Sequence, residues 1–89
     1  MKIGNLYATK SIDLLMQESS HFRDDINTAL NKYIHNDWGE TCPEDVKANN
    51  EALKHGGRII AAYETYKGRV WMITDEYRSS TTILFPSEY

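Results

Sequence analysis

The hydrophobic period of this chain changes once, and the change falls at Gly56-Gly57. Before that pair, apolar residues recur at steps of three and four. After it they run in short blocks rich in β-branched and aromatic side chains. A chain that places its helices first and its strands afterwards lacks the alternation needed for β-α-β crossovers. The pattern therefore predicts the α+β class.

The strongest helical stripe is Phe22, Ile26, Ala29, Leu30, Tyr33 and Ile34, with Asp24, Asp25, Asn31 and Lys32 on the other side. Ser20 is its expected cap, and Asn36-Asp37 followed by Gly39 marks its end. A shorter helix precedes it. Ser11 is the expected N-cap, Asp13 lies in the first turn, and Ile12, Leu15 and Met16 form the apolar side, ending by Ser19-Ser20. A third helix begins around Thr41-Cys42-Pro43-Glu44-Asp45. Proline suits a first turn because its missing N–H would have had no partner there, and Thr41 with Glu44 has capping-box spacing. Val46, Ala48, Ala52 and Leu53 give it a modest apolar face, and His55-Gly56-Gly57 closes it.

Three strands are expected beyond the glycine pair. Arg58–Tyr66 carries Ile59-Ile60-Ala61-Ala62-Tyr63, Lys67-Gly68 makes a tight turn, and Arg69–Thr74 returns. Asp75–Ser80 is a polar connection, and Thr81–Phe85 forms the third strand, stopped by Pro86. The first ten residues read as an extended lead-in or a short edge strand. The expectation is thus one α+β domain over residues 1–89, with three short helices followed by a three-stranded antiparallel β-meander. The helices pack on one face, and Trp71 is a core residue whose loss would unfold the chain.

Composition narrows the function classes. Eighty-nine residues hold one small core, and 40% hydrophobic with 26% charged residues are the proportions of a folded domain. No apolar run approaches the ~20 residues of a membrane span. Met1-Lys2-Ile3-Gly4-Asn5 lacks a secretory apolar stretch, which points to the cytoplasm. The net charge of −3 argues against a protein built to coat nucleic acid. Charge is uneven: residues 1–45 carry four basic and eight acidic side chains, net −4, and residues 46–89 carry six and five, net +1.

Chemistry finds little purchase. His35, Cys42 and His55 are widely spaced and unpaired, unlike zinc ligands, so no metal site and no cofactor are expected. The single cysteine excludes an internal disulfide, and its place beside a helix N-terminus favours a buried or capping role over a reactive one. Neither serine pair sits in a nucleophile elbow, and Gly56-Gly57 lacks the Lys-Ser/Thr ending of a phosphate loop. No catalytic residue is assigned, and the chain is expected not to be an enzyme.

The second half carries a resemblance. His35-Asn36-Asp37-Trp38-Gly39-Glu40-Thr41-Cys42, Glu44-Asp45, Asn49, Glu51-Ala52-Leu53 and Gly57-Arg58 begin the pattern. It continues through Ala62-Tyr63, Val70-Trp71-Met72-Ile73-Thr74, Arg78-Ser79 and Thr81 to Tyr89. These pieces resemble a family of small proteins from bacterial plasmids and prophages, labelled plasmid-related proteins or type I restriction endonuclease subunit M. Pro43, Asn50 and Glu76-Tyr77 depart from that pattern, and residues 1–34 match only loosely. The resemblance implies mobile-element context and carries over no functional residue. A methyltransferase is excluded by length, because the fold that holds the methyl donor alone exceeds 89 residues.

Three roles follow as expectations. The first is a non-enzymatic protein that binds a host or defence protein, such as a CRISPR effector or a restriction complex. It would use Asp37, Trp38, Glu40, Glu44 and Asp45 with Asp75, Glu76 and Arg78. Arg78 pairing with Asp37 or Glu40 would instead make the two segments a structural clasp, with Trp38 covering the end of the core. The second role is a nucleic-acid-binding accessory protein using Arg58, Tyr63, Tyr66, Lys67 and Arg69 on the hairpin. The third is a homodimer without ligand, formed by pairing an exposed sheet edge.

Overall fold

The computed structural model describes all residues 1–89. Its elements are β1 (Asn5–Ala8), α1 (Lys10–Glu18), α2 (Ser20–Ile34), α3 (Pro43–His55), β2 (Ile59–Thr65), β3 (Gly68–Thr74) and β4 (Ser80–Leu84), then a 3-10 turn at Pro86–Glu88. No helix is long and apolar enough to cross a membrane. The α+β class holds, but the sheet has four strands in the order β1-β4-β3-β2. β2, β3 and β4 form the antiparallel meander, and β1 joins β4 in parallel, with Leu6 beside Thr81 and Ala8 beside Ile83. The three-stranded expectation thus falls one strand short. β1 is four residues long and exposed throughout, so it carries almost no burial pattern for a sequence reading to detect.

The caps differ in detail from the sequence reading. Thr9, not Ser11, precedes α1, and Ser19, not Ser20, caps α2 by accepting Phe22 N–H at 3.1 Å. α3 is preceded by Cys42 with Pro43 in its first turn, and neither Cys42 nor Thr41 caps it through a side chain. The Thr41 hydroxyl has other work: it donates to Trp38 C=O and accepts Ala62 N–H at 2.9 Å.

Alternation along the strands gives the sheet two unlike faces. Ile59, Ala61 and Tyr63 of β2, Val70, Met72 and Thr74 of β3, and Thr81 and Ile83 of β4 are buried beneath the helices. They meet Ile12 of α1 and Phe22, Ile26, Ala29 and Tyr33 of α2 in one core cluster. A polar thread crosses this core. The Thr81 hydroxyl donates to Ile3 C=O at 2.8 Å, so it accepts from Thr74 at 2.6 Å, and Thr74 in turn accepts from Tyr33 at 2.6 Å. A carbonyl can only accept, which sets the direction of the whole relay. Burial pushes the Tyr33 hydroxyl up to about 12, keeping it the neutral donor that the relay requires.

The other face carries Ile60, Ala62, Trp71, Ile73, Thr82 and Leu84; Ala62 and Leu84 are buried, and the other four are partly exposed. Trp71 is therefore not the core residue expected from the sequence. It is half-buried on the open face, with its ring edge-on to Tyr89 at 5.5 Å.

α3 stands at the β2 edge. The buried Asn49 amide donates to Ile60 C=O at 2.8 Å and its carbonyl accepts Ile60 N–H at 3.2 Å. Glu40 N–H donates to Ala62 C=O at 2.8 Å, and Gly39 forms a parallel bridge to Ala62. Gly39 has φ of 60°, and an added Cβ would come within 2.4 Å of the Tyr63 ring. Only glycine fits that approach. Side chains and loop thus satisfy the edge that would otherwise present free backbone groups.

Candidate functional site

The acidic segment and the open face meet at the β2 edge. Glu40, Thr41, Cys42 and Asp45 form one wall of a cleft of about 230 Å³, and Ile60, Ala62, Arg69 and Trp71 form its floor and far side. Arg69 lies in an ion pair with Glu64, Nε to Oε1 at 2.7 Å. Beyond Glu40, on the helical side, a second cleft of about 300 Å³ is lined by Asp25, Lys32, Glu40, Tyr63 and Glu64. Glu40 lines both, on the ridge between them. The chemistry of the first cleft is an apolar, aromatic floor with acids on one rim.

Cys42 is exposed on that rim, so the expected buried role is wrong; it occupies the N-cap position without a capping bond. The Asp45 backbone N–H lowers its thiol pKa. The carboxylates of Asp45 and Glu44, with slight desolvation, outweigh this and leave the thiol raised, hence protonated. No three His, Cys, Asp or Glu side chains converge as metal ligands.

The two segments named from the sequence do not form one surface. Asp37–Asp45 leads into the start of α3, whereas Arg78 binds its far end, a separation of about 20 Å for a 13-residue helix. The Arg78 guanidinium donates to Ala52 C=O at 3.0 Å, Gly57 C=O at 2.7 Å and Asp75 C=O at 2.9 Å. The expected pairing of Arg78 with Asp37 or Glu40 is absent. The arginine ties the last turn of α3 to the chain beyond it, adding a second donor to Ala52 C=O, which already accepts Gly56 N–H, and joining it to the Gly57 and Asp75 carbonyls. Its φ of 59° holds it in the tight turn before β4.

Asp75 is likewise committed internally. Its carboxylate accepts Ser79 N–H at 2.7 Å, Ser80 N–H at 3.1 Å and the Ser79 hydroxyl. The Ser79 hydroxyl, followed by the two amides, holds its pKa below the usual carboxylate range. Of the three residues expected there, Glu76 alone remains exposed and unengaged, next to the exposed Tyr77.

Trp38 is 5% exposed, so it belongs to the core and not to a partner surface. Its Nε1–H donates to Asn50 at 2.9 Å, and its ring meets Tyr33 edge-on at 5.8 Å. Asp37 closes the turn by accepting Gly39 N–H, and its C=O accepts the Tyr63 hydroxyl at 2.7 Å. Glu40, Glu44 and Asp45 remain exposed, and of these Glu40 and Asp45 border the cleft.

The five hairpin residues are also divided. Tyr63 is buried under the helices, its hydroxyl pKa raised by that burial, so it offers no stacking surface. Tyr66 stacks on His21 at 4.0 Å and shares a hydrogen bond with Ser19, while Lys67 lies 5.2 Å from the Tyr66 ring. Those two residues are at the turn. Arg69 is on the open face, and Arg58 lies over Tyr89, 5.7 Å from its centroid.

Comparison with known protein families, curated proteins and solved structures finds no match to this chain. The sequence reading missed Asn49, the Tyr33–Thr74–Thr81 relay and the outward Trp71. Asn49 had a signal, a polar residue at helical spacing between Val46 and Ala52. Trp71 had one too, since it alternates with Val70 and Met72.

Proposed function

We propose that this chain is a non-enzymatic binding domain of a mobile genetic element, acting in the cytoplasm by occupying a basic surface of a host defence protein, a CRISPR effector or a restriction complex. The observation that carries this reading is the cleft at the β2 edge, where Trp71 and Ile60 are open under Glu40 and Asp45. A half-buried tryptophan in a pocket is the residue type that anchors interfaces, and the acids on one wall, facing Arg69 across the cleft, steer the encounter. The resemblance of residues 35–89 to plasmid-related proteins supports the mobile-element context. Uptake of a targeted plasmid, in cells carrying such a defence system and expressing this chain, tests the role. Protection that falls on Trp71→Ala, and on Glu40→Lys with Asp45→Lys, supports it. Absence of protection against both system types overturns it.

The nucleic-acid reading retains one favourable observation: Arg58, Tyr89, Trp71 and Arg69 share the open face. A salt-dependent shift of single-stranded DNA or RNA, lost on Arg58→Ala, would select that role instead.

A further inference from the structure

Two edges bound the sheet, and only one is covered. Asn49, Thr41 and Glu40 take up the outward groups of Ile60 and Ala62 on β2. At β1, the parallel register turns the backbone of Asn5, Tyr7 and Thr9 inward. Asn5 N–H donates to Ser79 C=O at 3.0 Å and Thr9 N–H to Ile83 C=O at 3.1 Å. The N–H and C=O groups of Leu6 and Ala8 consequently point away from the sheet. Leu6 is 45% and Tyr7 54% exposed, and Asn5–Ala8 holds no charge and no proline. Edges are normally kept from pairing by shortness, a charge, a proline, a bulge or a cover; apart from its four-residue length, β1 has none of these. Beneath it, Leu6, Met16, Ile26, Leu30 and Ile83 border a largely apolar groove of about 270 Å³, which Asp13 and Asn27 also line.

We propose that β1 pairs antiparallel with β1 of a second copy about a two-fold axis, joining the two sheets into one. The register follows from the outward groups. Leu6 opposite Ala8 of the partner subunit exchanges two N–H···O=C bonds, and symmetry repeats the pair. Tyr7 then meets Tyr7 of the partner subunit across the axis, on the open face. The small Ala8 leaves room for the partner's Leu6 to reach the apolar groove. Centring the ladder on Leu6 instead would set Ala8 against the partner's Gly4, whose φ of 63° breaks the extended backbone. A second copy fits this edge better than a free peptide does. A peptide would lose its backbone freedom on docking, whereas β1 of another copy is already held extended by β4.

This inference does not rest on the binding role proposed above. Light scattering over a concentration series tests it, together with amide hydrogen exchange. The expected result is a particle of twice the 10.3 kDa chain mass, with exchange at Leu6 and Ala8 slowing roughly tenfold as concentration rises. Ala8→Pro removes an N–H that the single chain does not use, and Leu6→Asp sets a second carboxylate beside Asp13 in each groove. Each variant should be a monomer with the unchanged circular dichroism of a folded chain. A wild-type monomer at millimolar concentration overturns the proposal. So does a dimer that survives both variants, or one whose Leu6 and Ala8 amides still exchange freely.

Discussion

The two faces of the sheet come from the same strands and differ in almost every physical respect. Val70, Met72 and Thr74 are sealed under α1 and α2, while Trp71 and Ile73, one residue away, open on the other side. The covered face couples apolar packing to the hydroxyl relay, which joins α2, β3, β4 and the N-terminal segment. The open face has no such network; it carries the Trp71–Tyr89 ring pair with the Arg58 guanidinium over Tyr89. One face specifies the fold, and the other is free to be used. A large side chain is therefore no guide to importance for stability until its face is known.

That contrast breaks first at Phe22, which is fully buried in α2. Phe22→Ala should cost about 3–5 kcal/mol, close to the whole stability of so small a domain, and chemical denaturation reads the loss. At the β2 edge, Asn49→Leu keeps the volume but strands Ile60 N–H and C=O, and should cost about 1–3 kcal/mol. A neutral result would mean that water reaches this edge and that α3 is not its cover. Trp71→Ala should cost only about 1–2 kcal/mol, since the ring is partly buried on the open face and not sealed in the core. A larger loss, equal to that of Phe22→Ala, would erase the distinction between the faces.

The smallest effect concerns pH. The Ser11 hydroxyl, then Phe85 N–H, hold the Glu88 carboxylate below its usual range, with Thr9 adding a bond at 2.9 Å. A depressed carboxylate stabilises the fold above the unfolded pKa of about 4.3. That contribution disappears as pH falls through the lower folded value. Melting temperature should thus decline below about pH 4, and Glu88→Gln should shallow the decline. Asp75 titrates in the same direction, so the variant should leave part of the slope.

Legibility followed the range over which each interaction acts. The stripe Phe22, Ile26, Ala29 and Tyr33 is local, and all four residues are buried as their spacing indicates. The Lys67-Gly68 hairpin and the stop at Pro86 are local as well. Arg78 was legible as a residue needing a partner, but not as the tie on a helix ending at His55. Of the acidic segment, Glu40 and Asp45 reached the cleft, whereas Trp38 turned inward because Tyr33 and Asn50 offered it an edge contact and an acceptor. The first ten residues read equally as a lead-in or a short edge strand, and only the structure chose the strand, since its partner β4 lies more than seventy positions away.

By itself, the sequence determined the α+β order, the helical stripes and the turns, because these depend on periodicity, glycine and proline within a few residues. Only the tertiary structure decided which face of the hairpin the helices cover, that β1 closes one side in parallel, and that Asn49 and Thr41 guard the other. Those outcomes rest on hydrogen bonds between groups eleven to 78 residues apart. Nothing in the local pattern of a chain encodes which distant carbonyl lacks a donor; that is settled only when burial removes water as the alternative partner.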